Sequence, residues 1–378
     1  MKTDLPKKET PGVDAQGVDK TIAVTGCENV STAGKGQDGL GSIIKYPRPE
    51  SSVSALDSDP RILTPEILSA GLLQADQMGA LEITPRDSVC GTWFKVGDLG
   101  FVFGPRGLGK TWFTMNLARS IGEGRPIGPW PVPESRKVLY IDGEMPLDTI
   151  RDRNASLGTG DAKLCFLNHE WLFQKTGSVL NLTDRIAQTA VLKLCRDQGA
   201  EVLVLDNLSC LFSGMAENDA DAWEKVLPWL LTLRRANIAC ILVHHSGRAG
   251  THMRGTTRRE DAAFWVIRLD EDPDPAHISN GARFISRFTK NRQGSRDETE
   301  PLNWSYCTHD GITEVEFRQL PNIEVFRQWV RDGLNRCSEI AEEMGISKGM
   351  VSRMAKIGES DGWLRINRRV YSLIEGVT

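Results

Sequence analysis

The chain has 378 residues, of which 40% are hydrophobic, enough for two or three domains with buried cores. Its 46 Lys and Arg residues nearly balance its 50 Asp and Glu residues, and a net charge of −4 offers no overall field that attracts nucleic acid or an anionic membrane. The eight cysteines form neither a Cys-x-x-Cys pair nor a Cys/His cluster, which argues against a zinc site and a disulfide framework. No apolar run suits a signal peptide or a membrane span, so we expect a soluble cytoplasmic protein without a membrane partner.

The pattern along the chain divides it into three parts. Residues 1–60 are polar, rich in Gly, Ser and Asp, and have few aromatics, which predicts a disordered N-terminal arm. Residues 61–321 alternate short apolar runs with helical stretches, which predicts an α/β domain with a mainly parallel central sheet. Residues 322–378 change to short amphipathic helices and a hairpin-like alternation, which predicts a small separate domain.

Six apolar runs are the predicted strands of the α/β domain. Two of them, residues 202–205 and 238–243, are apolar at every position, as strands covered on both faces must be, so we expect them to be central. The six runs are Leu99–Phe103, Val138–Ile141, Val202–Leu205, Ile238–Val243, Phe264–Leu269 and Phe284–Phe288.

A glycine-rich loop follows the first run and opens a helix. It matches the pattern G-x-x-x-x-G-K-[ST], in which glycines let backbone N–H groups turn toward phosphate at a helix N-terminus. Lys110 supplies a positive charge for the β- and γ-phosphate oxygens, and Thr111 can ligate magnesium. The predicted ATP site consists of Gly104, Pro105, Arg106, Gly107, Leu108, Gly109, Lys110 and Thr111.

Carboxylates end two later strands. The run at residues 202–205 ends in Asp206, which places an acid beside phosphate-bound magnesium, although a simple turn residue is the alternative. Asn207 follows it where many ATPases carry the glutamate that activates water, so the base must come from elsewhere. The run before it ends in Asp142 and Glu144, and we predict Glu144 as the base; two solvated acids in a turn are the alternative.

These three motifs, in this order, resemble those of the RecA-like ATPases. The resemblance is to the branch that contains plasmid hexameric replicative helicases of the RepA type and related AAA-25 proteins, and it covers residues 91–294. It implies a RecA-like P-loop core that uses ATP and Mg²⁺, with Thr111 and Asp206 on the metal and Glu144 as the catalytic glutamate. Where the family usually has an acidic residue, this chain reads Phe264-Trp265.

The resemblance also implies three further catalytic residues. Residues 241–247 look like the family's strand that ends in a polar γ-phosphate sensor, here His244. On the residues alone, His244 and His245 point to opposite faces of a strand, so one can meet the nucleotide or nucleic acid while the other packs inside. The segment Lys290-Asn-Arg292-Gln-Gly resembles the Lys-x-Arg-x-Gly of DnaB-like and RadA-like proteins, whose basic pair reaches into the neighbouring subunit's nucleotide. It implies a homo-oligomer, a hexamer by this resemblance, with ATP sites at its interfaces; a solvated basic turn is the alternative.

A basic loop is the first candidate nucleic-acid site. No acidic residue lies between His244 and Arg259, and contact with phosphates there would be electrostatic and salt-dependent. In RecA-like rings this loop lines the pore, which by resemblance makes Arg248 and Arg254 contacts for single-stranded DNA. A solvated loop is the alternative.

The C-terminal segment is the second candidate. Its Ala341, Gly345 and Val351 have the spacing of a helix-turn-helix, with Ser347 as the cap of the second helix. With the hairpin after Trp363 as a wing, the segment resembles a winged helix-turn-helix domain. Its predicted contacts with duplex DNA are Lys348, Ser352, Arg353 and Lys356, with Arg368 and Arg369 near phosphate. Docking of a replication protein is the alternative.

Three functions remain open from sequence. The first is a ring-forming replicative DNA helicase of a plasmid, phage or integrated element, driven by ATP hydrolysis along single-stranded DNA. The second is an ATP-switched regulator whose winged domain binds duplex DNA without unwinding it. The third is a recombination ATPase of the RadA kind.

Overall fold

The structure is a computed structural model that describes residues 64–158, 160, 162–214, 220–246, 258–272, 281–295, 297–344 and 346–374. The predicted arm at residues 1–60 lies outside the described residues. None of the helices in the described ranges is long and apolar enough to cross a membrane.

Strands and helices alternate from residue 99 to residue 271. The helices are α1 (Pro65–Ala70), α2 (Ala75–Ala80), α3 (Lys110–Glu123), α4 (Leu147–Ser156), α5 (His169–Thr176), α6 (Arg185–Gln198), α7 (Leu208–Leu211), α8 (Ala220–Arg235), α9 (Arg258–Asp261), α10 (Asn322–Arg331), α11 (Cys337–Met344) and α12 (Lys348–Ser360). The strands are β1 (Ser88–Cys90), β2 (Phe94–Lys95), β3 (Leu99–Gly104), β4 (Val138–Asp142), β5 (Leu164–Asn168), β6 (Val202–Asp206), β7 (Ala239–His245), β8 (Trp265–Glu271), β9 (Gly281–Asn291), β10 (Leu302–His309), β11 (Ile312–Gln319), β12 (Leu364–Asn367) and β13 (Val370–Leu373).

A nine-stranded sheet organises the molecule. Its order is β11-β10-β9-β8-β3-β7-β6-β4-β5, and the six strands from β8 to β5 are parallel. The predicted α/β fold with a mainly parallel sheet is therefore confirmed, and β6 and β7 lie inside it as expected.

Helices cover both faces of the parallel part. Successive residues on β4 and β6 alternate between two hydrophobic clusters, one shared with α3 and the other with α6 and α8. All five residues of each of these strands are buried, which explains why the residues before the terminal aspartates are apolar without alternation, apart from Tyr140.

Three antiparallel strands extend the sheet; the sequence predicted the apolar run within β9 but neither β10 nor β11. Strands β9, β10 and β11 pair antiparallel in succession beside β8. Asp310 and Gly311 turn β10 into β11 with φ values of 51° and 80°, as a two-residue hairpin turn requires. This Asp-Gly pair was the available signal for the hairpin.

The last helices and strands form what we call the C-terminal unit, residues 322–374. Helices α10, α11 and α12 and the β12–β13 hairpin enclose a hydrophobic cluster that includes Val351 at 0% exposure and Ala341 at 6%. The hydroxyl of Ser347 accepts a hydrogen bond from the backbone N–H of Met350 and so caps α12. Ile285 of β9 belongs to the same cluster, so the unit packs against the sheet.

Gly100 on β3 gives a test of the packing between β3 and β8. A Cβ there would lie 2.0 Å from Cε2 of the fully buried Trp265 on the neighbouring strand, so we expect Gly100→Ala to lower the free energy of unfolding by about 3 kcal/mol. Urea unfolding followed by fluorescence measures the change. Gly349→Ala is the control, because a Cβ on that α12 residue meets nothing closer than 3.9 Å. Equal stability of the two variants would contradict the packing described here.

Candidate functional site

The phosphate loop connects β3 to α3. Gly107 and Gly109 have φ values of 76° and 112°, and a Cβ at Gly109 would lie 2.6 Å from Cβ of Ala282, so the loop requires glycine there. The ammonium of Lys110 donates to the carbonyl oxygens of Gly104 at 3.0 Å and Pro105 at 2.6 Å. Burial lowers the pKa of Lys110 to about 8, against the opposing effect of nearby carboxylates. The loop thus combines a glycine turn with a buried cation at the start of α3, an arrangement that suits phosphate.

Asp206 lies beside this loop at the end of β6. Its carboxylate accepts hydrogen bonds from the hydroxyls of Tyr140, at 2.6 Å, and Thr111. Burial raises the pKa of Asp206, and these two hydrogen bonds oppose the shift. The hydroxyl of Thr111 and the carboxylate of Asp206 are oxygen ligands, which magnesium prefers, so the donor set fits the predicted Mg²⁺ site.

Tyr140 is a site residue that the sequence analysis missed. It is fully buried on β4, and its hydroxyl lies 3.0 Å from that of Thr114 on α3, which in turn lies 2.9 Å from the carbonyl oxygen of Lys110. Tyr140 thereby links Asp206 to the helix that begins at the phosphate loop. An apolar strand with one tyrosine carries no local signal for this contact.

Glu144 is held at the same edge by two other residues. The Asn207 amide nitrogen donates to the Glu144 carboxylate, and Nε2 of His245 lies 3.9 Å from Oε2 of Glu144. Asn207 also caps α7 by accepting a hydrogen bond from the backbone N–H of Cys210 at 3.2 Å, which fixes its amide. Asn207 and His245 therefore orient Glu144, whose side chain is half exposed and open to a water molecule.

The two histidines point to opposite faces of β7, as expected from a strand. The structure brings His245 to Glu144, whereas Nε2 of His244 lies 2.8 Å from Nη1 of the buried Arg259. Of the two histidines, His245 is therefore the neighbour of Glu144, the predicted base. The sequence alone could not choose between them, because the choice depends on the pairing of β7 with β3.

Asp142 is buried and stabilises the turn that follows β4. It is buried directly opposite Asp206, and it accepts hydrogen bonds from the Asn168 amide at 2.8 Å and the Met145 backbone N–H at 3.1 Å. Burial, with a contribution from Asp206, raises the pKa of Asp142 to about 7. These bonds fix the turn that carries Glu144, so of the two acids at the end of β4 and in the turn after it only Glu144 is open to solvent.

Lys290 and Arg292 lie away from this edge. Asn291, between them, pairs with Trp265, and Trp265 pairs with Gly100 near the start of β3, whereas the phosphate loop begins at the other end of that strand. Both basic side chains donate to backbone carbonyl oxygens of α9. The structure does not bring them to the phosphate loop of their own chain.

The predicted nucleic-acid contacts divide into two groups. Arg248 and Arg254 lie outside the described residues. Four residues on one helix, α12, have exposed side chains: Lys348, Ser352, Arg353 and Lys356. The exposed Arg368 and Arg369 lie in the turn between β12 and β13.

A known protein family matches the part of the chain that contains the phosphate loop and Asp206. Residues 64–251, just under half of the chain, match a family model described as AAA domain, AAA_25. No curated protein matches the chain.

Two solved structures are similar to parts of the chain. One is a KaiC-like protein from the hyperthermophilic archaeon Pyrococcus horikoshii, with a TM-score of 0.42 and 16% identity over 61% of this chain and 99% of that chain. The other is the flagellar accessory protein FlaH from Methanocaldococcus jannaschii, with a TM-score of 0.39 and 14% identity over 58% of this chain and 90% of that chain.

The hydrogen bond from Tyr140 to Asp206 gives a test of the magnesium site. In Tyr140→Phe the carboxylate loses one of its two hydroxyl donors, and we expect the Mg²⁺ concentration for half-maximal binding of a fluorescent ATP analogue to rise roughly tenfold. Binding of the analogue without Mg²⁺ should not change. Tyr306→Phe is the control, because it also removes a buried, hydrogen-bonded hydroxyl but one whose partner is Asn116. The same Mg²⁺ dependence in both variants would show that Tyr140 does not position Asp206.

Proposed function

We propose that this chain, a P-loop ATPase with an AAA domain, assembles into a ring that moves along single-stranded DNA as a replicative helicase of a plasmid, phage or integrated element. The proposal includes hydrolysis of ATP by water at interfaces between subunits and a homo-oligomeric ring, with six subunits by the resemblance of its motifs.

The proposal rests on the positions of Glu144 and Arg292 toward opposite edges of the sheet. Glu144 lies at the edge of the sheet where the parallel strands end, and Arg292 lies near the edge where they begin. A basic residue that cannot reach the nucleotide of its own chain can still reach that of a neighbour when subunits follow head to tail around a ring. This arrangement supports ATP sites completed between subunits.

The residues then have distinct roles in the reaction. The backbone N–H groups of the phosphate loop and Lys110 hold the phosphates, and Thr111 and Asp206 hold magnesium, which when bound neutralises phosphate charge. Glu144 accepts the proton of the attacking water, and Asn207 keeps its carboxylate in place.

A neighbour supplies the remaining charge. Arg292, with Lys290 beside it, stabilises the negative charge that develops on the transferred phosphoryl oxygens. His245, next to Glu144, takes the position that the resemblance gave to His244. In this proposal Arg248 and Arg254 contact the single strand in the pore.

The exposed residues of α12 favour a second candidate function. Lys348, Ser352, Arg353 and Lys356 lie on one helix of a three-helix unit that ends in a hairpin, which suits a winged helix-turn-helix in the major groove of duplex DNA. The chain would then be an ATP-switched regulator. Stimulation of ATPase by single-stranded DNA with strand displacement on a fork supports the helicase, whereas ATP-dependent protection of duplex DNA without displacement supports the regulator. Strand pairing without displacement would instead support a RadA-like recombination ATPase.

Glu144→Gln tests the base. Because the amide cannot accept the proton from water, we expect turnover of ATP to fall at least about 100-fold while binding of ATP is retained. Steady-state phosphate release and binding of a fluorescent ATP analogue measure the two effects. Glu170→Gln, an exposed substitution on α5, should change neither. Hydrolysis at a near-normal rate by Glu144→Gln would exclude Glu144 as the base.

Arg292→Ala tests the interface. We expect the ATPase rate to fall about 1,000-fold, as for loss of an arginine finger, with nucleotide binding retained. Mixing Arg292→Ala with Glu144→Gln chains should recover part of the activity, since some interfaces then pair an intact Glu144 with an intact Arg292. Two outcomes would contradict the proposal: no recovery on mixing, or a wild-type rate per chain that is independent of protein concentration with a monomer in light scattering.

A further inference from the structure

A groove lies where the antiparallel end of the sheet meets the C-terminal unit. It encloses about 320 Å³ between β9, β10 and β11 on one side and α10 on the other. We call it the arginine groove after four of its lining residues, Arg287, Arg318, Arg327 and Arg331. None of these residues belongs to the ATP site or to the predicted DNA contacts.

The arginine groove continues into a second cavity. This cavity encloses about 220 Å³ and shares Asp272, Asn303 and Arg318 with the first. Arg283 lines only the second cavity, so five arginines in all line the path that the two cavities form between α10 and the outer strands of the sheet.

The acids along this path compensate only part of the positive charge. Asp272 lies 3.6 Å from Arg283 and accepts a hydrogen bond from Asn303 at 2.9 Å. Two other acids, Glu316 and Glu324, border the cavities. Three carboxylates line the cavities and a fourth, Asp270, pairs with the buried Arg287, so the five arginines exceed the acids by one and the path is locally positive in a chain whose net charge is −4.

Two of the arginines are exposed and available. Arg318 and Arg331 form no ion pair with a carboxylate within the described ranges, and Arg331 donates only to the side-chain oxygen of Gln328, at 2.6 Å. Below them, Arg287 is 7% exposed, its Nε donates to Asp270 at 2.7 Å, and its Nη1 has no hydrogen-bond partner among the described residues. The groove therefore has a fixed cation at its floor and free cations at its mouth.

We infer that the arginine groove binds the phosphate backbone of single-stranded nucleic acid. Guanidinium groups bind phosphate oxygens through paired N–H donors, and several of them along an open path suit a chain of repeated phosphates better than one small anion. Phe317 borders the second cavity, and its ring packs against Trp304 at 5.8 Å between ring centres and is 46% exposed, so part of the ring is open to a base beside the phosphate contacts. A strand in the groove touches the ATPase sheet and the C-terminal unit together.

The inference rests on the proposed binding of single-stranded DNA, and a double variant of the full-length chain tests it. Arg318→Ala with Arg331→Ala removes the two exposed cations without disturbing the buried ones. We expect weaker binding of a fluorescent oligothymidylate in anisotropy titrations, with the slope of log Kd against log salt reduced by about 1.4 for two lost phosphate contacts. ATP binding should not change.

A second double variant separates the groove from general charge. Arg185→Ala with Arg235→Ala removes the same charge at exposed positions on α6 and α8, and its affinity and salt slope should equal those of the wild type. Equal losses in the two double variants, or no loss in either, would overturn the inference while leaving the helicase proposal intact. Wild-type protein that binds no oligonucleotide would overturn both. Displacement of the oligonucleotide by inorganic phosphate at the same concentration as the oligonucleotide would show a site for one small anion and would also overturn the inference.

Discussion

The parallel pairing of β3, β4, β6 and β7 brings the ends of four strands to one edge of the sheet, and the candidate site depends on it. Gly104 pairs with His245, and Asp142 pairs with Asp206, so the phosphate loop and the carboxylates meet at one edge. Helices on both faces keep the strands buried, and this burial raises the pKa values of Asp142 and Asp206. Hydrogen bonds from Tyr140, Thr111 and Asn168 offset that cost and fix the carboxylates in place.

Much of this arrangement could be predicted from local sequence. The phosphate loop is contiguous, and the strand that ends in Asp206 is apolar at every position before that residue because both of its faces are covered. A contiguous motif or a buried strand is defined by residues that are adjacent in sequence, so a short window of sequence is enough to predict it. The cap of α12 at Ser347 is also local, because its hydroxyl accepts a hydrogen bond from the backbone N–H three residues later.

The remaining parts depend on contacts between distant segments. Tyr140 meets Asp206 across 66 positions of sequence, and Asn207 meets Glu144 across 63. Whether His244 or His245 faces the site is set by the pairing of β7 with its neighbours and not by the two residues themselves. The β10–β11 hairpin was missed for another reason: β10 alternates between buried and partly buried positions and β11 is mostly exposed, so neither strand contains a continuous apolar run.

Strand β9 serves two hydrophobic clusters at once. Phe284 belongs to the cluster around α3, while the next residue, Ile285, belongs to that of the C-terminal unit. Arg268 on β8 adds a second link through its hydrogen bond to the backbone oxygen of Glu343, at 3.0 Å. A chain truncated after Pro321 would open Ile285 to water and leave Arg268 without this partner. The α/β part and the C-terminal unit should therefore be expressed and purified together, because a truncation at this position would divide a shared hydrophobic core.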